Sequence, residues 1–161
     1  MKKGGGWSRI EVCVQECHTD AAGLAALREL DLAGLAPRAV RVHQVYYLEG
    51  VRDAGRIALE VLVDPVCERG AVDAPIPGTG TAVSVWKRPG VMDPAEASIL
   101  RALRAAGDPG SRATTGRTFW IEADAPAGTV LRAVARSLAN EVVDEIGLGP
   151  VPRPRDLPRA G

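Results

Sequence analysis

No apolar run in this chain approaches the roughly 18–20 residues that a helical membrane span needs, so its sequence offers no such span. It also lacks an excess of either charge: 20 Lys and Arg stand against 20 Asp and Glu in 161 residues. A neutral balance argues against a surface built to neutralise phosphates, and so against nucleic acid as the partner. Cysteine is scarce and odd in number, at three, which is too few for a disulfide scaffold and favours a reducing compartment. The start, Met-Lys-Lys-Gly-Gly-Gly-Trp, has no apolar core of the kind a secretory leader needs. These absences set the expectation of a cytoplasmic protein. What is present is globular, with 46% apolar and 25% charged residues, enough to bury a real core. Arg outnumbers Lys 17 to 3, a compositional bias under which an Arg by itself carries little functional weight.

Aromatics are also few, and four of the six form two adjacent pairs, Tyr46-Tyr47 and Phe119-Trp120. Those pairs expose an internal repeat. Shifted by 73 positions, the chain aligns with itself without a gap from Ile10 to Glu49, with nine identities. Among them are Asp20/Asp93, Leu27/Leu100, Leu30/Leu103 and Gly34/Gly107. After an insertion of about three residues the parallel resumes, with Leu62, Asp64, Val66 and Glu68 facing Leu138, Asn140, Val142 and Asp144.

Each half opens on alternating apolar positions, Ile10-Val12-Val14 and Val83-Val85, the signature of a half-buried strand. A helix follows. Its start is well marked in the second half by Asp93 as cap, Pro94 and Glu96, and less sharply in the first by Asp20, because Gly23 weakens the first turn. Gly34 and Gly107 suit the helix ends. The extended regions 39–49 and 113–122 read as one bent strand each, or as two joined by a turn near His43-Gln44 and Gly116-Arg117. A second helix closes each half, carried by Ile57, Val61 and Leu62 or by Val130, Leu131, Val134 and Leu138. Pro65 ends the first of these, and Gly147 and Gly149 the second. The chain thus divides into a first repeat over 8–72, a Pro- and Gly-rich linker over 73–81, a second repeat over 82–148 and an extended Pro- and Arg-rich tail over 149–161. The expected class is α+β, with helices on one face of an antiparallel sheet and the two halves packed so that their bare sheet faces cover one another.

The chemistry-bearing residues are sparse. Cys13, Cys17 and His18 offer metal-ligand types but want a fourth ligand, which Cys67 or His43 could supply if the fold cooperates. The plainer reading is a strand cysteine followed by a loop. The run from Pro77 to Thr81 resembles a phosphate loop but lacks its Lys-Ser/Thr, and reads as linker. No pair of carboxylates is spaced for acid–base work, and neither histidine neighbours a triad pattern. No catalytic, cofactor-binding or metal-binding residue is expected.

The run Arg88-Pro89-Gly90-Val91-Met92-Asp93-Pro94, directly after the strand 83–87, resembles the opening loop of the small, PurS-type subunit of phosphoribosylformylglycinamidine synthase. Ala113-Thr-Thr-Gly-Arg117 is similar to that family's Val-x-x-Gly-Lys segment, and Leu138-Ala-Asn-Glu-Val-Val143 to its closing Leu-x-Asn-Pro-Val. In the first half, 40–50 and 62–66 resemble the first repeat of the N-terminal region of the large single-chain synthases, which is two fused PurS-like units. The first half departs from the pattern at Glu16-Cys-His-Thr-Asp20, without Pro-Gly, and at His43-Gln44, where Gly-Lys is expected.

The resemblance implies two ferredoxin-like βαββα units packed as an intramolecular pseudo-dimer. It implies a non-catalytic role in purine biosynthesis, bridging the synthetase (PurL-type) and glutaminase (PurQ-type) subunits and supporting ammonia transfer. It places the partner contacts at Pro89, Gly90, Asp93, Gly116 and Arg117, in loops left free by the buried sheet faces. A second reading is a tandem ACT-like regulatory protein that holds a small molecule between its halves.

Overall fold

The computed structural model describes residues 6–152, so the expected tail lies outside the described residues except at 149–152. The fold is mixed α+β. Its elements run β1 (Trp7–Val14), α1 (Ala21–Leu32), β2 (Ala39–Glu49), α2 (Ala54–Ile57), β3 (Glu68–Val72), β4 (Thr81–Lys87), α3 (Glu96–Ala105), β5 (Arg112–Glu122), α4 (Ala127–Ser137) and β6 (Asp144–Leu148). A π-helical turn, Ala58–Leu62, extends α2. The six strands form one antiparallel sheet in the order β3-β1-β2-β5-β4-β6.

Three expectations are corrected. Each half is β-α-β-α-β: the long extended region is a single strand, and β3 or β6 follows the second helix where no strand was expected. Gly147 therefore lies inside β6 rather than at a helix end, because α4 already stops at Ser137. The halves also join edge to edge, not face to face. Strands β2 and β5 pair along their full length, from Ala39 opposite Glu122 to Glu49 opposite Arg112, and so fuse two three-stranded sheets into one.

The repeat is reproduced contact by contact. Asp20 Oδ1 caps α1 by accepting from Gly23 N–H, and its Oδ2 accepts from Val42 N–H in β2. Asp93 acts similarly 73 positions on but not as the cap expected of it: its Oδ1 accepts from Ala95 N–H in the turn before α3, whose N-cap is Ala95, and its Oδ2 accepts from Thr115 N–H in β5. One carboxylate thus staples the chain entering each helix to the next strand, and in the first half it also caps the helix. Both first helices end alike: Gly34 and Gly107 take positive φ, at 88° and 74°, and Leu35 and Asp108 donate back to Leu30 and Leu103. The later turns match at the shifted offset. Asp64 and Asn140 accept from Val66 and Val142 N–H, while the Glu68 and Asp144 carboxylates accept from Asp64 and Asn140 N–H. The first half spans this region with three fewer residues, and its helix widens to a turn closed by Val63 N–H donating to Ala58.

All the helical core residues lie over one face of the sheet, in two clusters, and each cluster draws on both halves. Ala26, Leu30 and Val40 of the first half pack with Val83, Phe119, Ile121, Val130 and Val134 of the second. Ile10, Leu48 and Ile57 pack with Ile99, Leu103 and Ala113. Thus α1 shares a core with α4, and α3 with α2; neither half closes a core from its own residues.

The other face carries no helix, yet Glu11, His43, Val45, Tyr47, Ser84 and Thr118 are buried there. Two straps cover it. The linker crosses near β1 and β5, where Ile76 is buried and a Cβ on Gly78 would come within 2.3 Å of the Trp120 ring. Residues 149–152 cross the middle: Val151 is buried against Val45 and Tyr47, Tyr47 Oη donates to the Val151 carbonyl at 2.7 Å, and Ser84 Oγ donates to Gly149.

Shared clusters make the two halves one cooperative unit. Leu30→Ala and Leu103→Ala, fully buried and equivalent, should each cost roughly 2–5 kcal/mol. In urea, far-UV circular dichroism and tryptophan fluorescence should report one coincident, shifted transition for each variant; two separated transitions would contradict the shared core.

Candidate functional site

The two-fold axis relating the halves passes through one cross-strand pair. Gln44 lies opposite Arg117, and the two are equivalent at the offset of 73. They stand in the middle row of the sheet, which runs Gly70, Val12, Gln44, Arg117, Val85, Ile146 across the six strands. Gln44 Nε2 donates to the Gly116 carbonyl at 3.0 Å, and Arg117 donates to the Leu138 carbonyl at 3.2 Å. The Arg117 guanidinium lies 5.2 Å from the centroid of the Phe119 ring, within cation–π range.

This row is on the helix-bearing face, but the helix pairs sit to either side of it. A cavity of about 550 Å³ opens there between α1 and the sheet. Val12, Val14, Val42, Tyr46 and Phe119 form its floor, Ala22, Ala25 and Ala26 one wall, and Arg28, Glu29, Glu68 and Arg117 border it. Across the axis the equivalent space is only about 100 Å³. The cause is a pair of substitutions between repeats. Lys87 and Asp144 fill the second half with an ion pair at 2.6 Å, whereas their counterparts are Val14 and Glu68. Burial alone would raise the Asp144 pKa, but the Lys87 bond, the Asn140 N–H and the charges of Lys87 and Arg117 outweigh it and hold the carboxyl below its ordinary value. In the open half, burial and the Glu68 charge push the Tyr46 phenol up.

The five residues expected to meet partners are placed differently from one another. Pro89 and Gly90 are exposed at the tip of a turn, with Gly90 at φ 78°. Arg88 anchors that turn by donating to the Val143 and Glu141 carbonyls. Asp93 is buried and committed to Ala95 and Thr115. Gly116 and Arg117 do not form a free loop, which corrects that expectation: they lie mid-strand in β5. Gly116 is buried beneath Val151, and Arg117 faces the cavity, exposed. Among the described residues no three His, Cys, Asp or Glu side chains gather as a metal site. Cys13 is buried and accepts from Arg69 Nε, while Cys17 is exposed.

Sequence reasoning missed the polar cluster under the linker. Glu11 accepts from or ion-pairs with His43 Nδ1 at 2.7 Å and Arg9 at 2.6 Å, its own side chain 2% exposed. Arg9 in turn ties down the linker: it donates through N–H to Asp73 and through its guanidinium to the Ala74 carbonyl. Burial would raise the Glu11 pKa, but the bond to His43 and the charge of Arg9 more than reverse it, so the pKa is lowered. Each residue sits on the off-face of an alternating strand, where a sequence pattern reads polar as solvent-facing; only knowledge of the linker's course could have marked them as buried.

No known family model matches the chain, and no curated protein matches it. Among the described residues no helix is long and apolar enough to cross a membrane.

Because its folded pKa is depressed, Glu11 contributes stability above the unfolded carboxyl value of 4.5, and that contribution disappears as pH falls through the still lower folded value. Glu11→Gln should lose roughly 3–5 kcal/mol at neutral pH, the cost of an uncompensated buried partner. Its stability should then depend less on pH in the acid range than wild type, as urea unfolding across that range would measure. Parallel profiles would show that Glu11 is not the linked group.

Proposed function

We propose that this chain is a non-catalytic, PurS-type accessory subunit of phosphoribosylformylglycinamidine synthase, acting in the cytoplasm. On this reading its repeats are ferredoxin-like units joined as a pseudo-dimer within one chain, and they bridge a synthetase and a glutaminase subunit and support ammonia transfer. The observation that carries it is the two-fold repetition of the Asp20 and Asp93 staples, which sets the Arg88–Pro94 motif between the first strand and the helix of a strand–helix–strand unit present twice. A duplicated scaffold presents two related surfaces, which suits a subunit that must hold two others. Pro89 and Gly90 supply an exposed, backbone-anchored turn for one of them. Asp93 acts by holding that turn's far end, and Gly116, under the strap, takes no part.

The cavity at the two-fold axis favours a second reading, a tandem ACT-like regulatory protein whose small-molecule site lies between the halves. Partner association separates the two. Tagged chain should retain synthetase and glutaminase subunits and raise glutamine-dependent amidine formation when added to them. Replacing Pro89 by Asp, with Gly90 kept for its positive φ, should reduce retention at least about five-fold without moving Tm, because Pro89 is exposed. Absence of both association and activation, with stabilisation by an amino acid or nucleotide in a thermal-shift screen, would replace the first reading by the second.

A further inference from the structure

The centre of a helix-covered sheet face is ordinarily the most buried and most apolar place in a two-layer fold. Here the two residues at that centre are polar, Gln44 and Arg117, and Arg117 is exposed. The helix beside them does nothing to fill the gap. Ala22, Ala25 and Ala26 repeat at helical spacing along α1 where it borders the cavity, and none reaches far. The volume, about 550 Å³, falls within the range of small-molecule sites.

Charge is distributed along this cavity, not scattered. Arg117, on β5, stacks on Phe119 and forms no ion pair with any described residue. Glu68, on β3, sits three strands away and two residues along, opposite Val14, about 16 Å from Arg117 between backbones at the usual strand spacings. Its Oε2 accepts from Asp64 N–H, which fixes the carboxylate at the cavity's outer end. Between these ends the floor is apolar, made by Val12, Val14 and Val42. On α1, Arg28 and Glu29 are exposed at the rim and of opposite sign, so they add no net charge.

We propose that this cavity binds a linear zwitterion of small-molecule size. Its carboxylate meets the Arg117 guanidinium and the Gln44 amide, its aliphatic body lies over Val12, Val14 and Val42, and its ammonium group meets Glu68. The site exists only in the first half, because Lys87 and Asp144 neutralise each other in the second. The assignment rests on the cavity alone and holds whichever role the whole chain fills.

The test uses ω-aminooctanoate, octanoate and octylamine as probes, each titrated to millimolar concentration into the full-length chain and followed by amide NMR shifts. The zwitterion should move the Val12, Val42, Gln44 and Phe119 amides saturably and bind at least about three-fold more tightly than either singly charged probe, the worth of one partly exposed ion pair. Arg117→Gln and Glu68→Gln should each erase that advantage, and Ala25→Trp should block all three probes while Tm confirms that it folds. No saturable shift at these amides, equal binding of the three probes, or an advantage that survives both charge substitutions would overturn the proposal. None of these outcomes bears on the retention of synthetase or glutaminase subunits.

Discussion

The pairing of β2 with β5 is the constraint on which the rest of the molecule depends. It spans both strands end to end and is centred on Gln44 and Arg117, so the second half is the first turned about that point. Because the strands run antiparallel through the axis, the start of β2 lies beside the end of β5. Helix α1 therefore finds its apolar floor partly on the other half, at Phe119 and Ile121, and α3 finds its own at Ile10 and Leu48. Interlocked cores follow from register. A half of about 70 residues that could not close its own core gains one by this exchange.

A single sheet covered by helices on one side leaves the other side to be covered by something else. In this chain the linker and residues 149–152 serve, and their thinness shapes what lies beneath. Irregular backbone brings carbonyl and N–H groups that need partners. The face under it is accordingly more polar than the helix-bearing one, with Arg9, Glu11, His43, Ser84 and Thr118 engaged with one another or with strap backbone. The segment that reads as a spacer between repeats is thus part of the structure's second layer. The helix-bearing face shows the converse, since there the two helix pairs part over the axis and the polar residues Gln44 and Arg117 are left with room beside them.

Much of this was legible in the chain itself. The offset of 73, the cap at Asp20, the glycines at 34 and 107 and the insertion of three residues all recur as geometry, because each is a local signal that its own backbone turn enforces; Asp93 instead holds the turn before α3, whose N-cap is Ala95. The edge strands were not legible. Glu-Arg-Gly-Ala-Val and Asp-Glu-Ile-Gly-Leu have little alternation and few β-branched residues, and are strands because β1 and β4 offer free edges. His43-Gln44 and Gly116-Arg117 looked like turns because polar residues and glycine interrupt an apolar run. They are instead the crossing point of the axis, where Gly116 admits Val151 on one face and Arg117 borders a cavity on the other. The way the halves join was not readable either, since face-to-face and edge-to-edge arrangements hide the same apolar residues and differ only in long-range pairing.

That two repeats fold here as one interlocked body is the central claim, and native-state hydrogen exchange tests it most directly. Amides in the middle of the pairing, such as Val45 in β2 and its counterpart Thr118 in β5, should open only with global unfolding and with equal free energy. Exchange of one strand's amides at a markedly lower free energy than the other's would show that the halves open separately, and would contradict a fold whose two cores are each built from both.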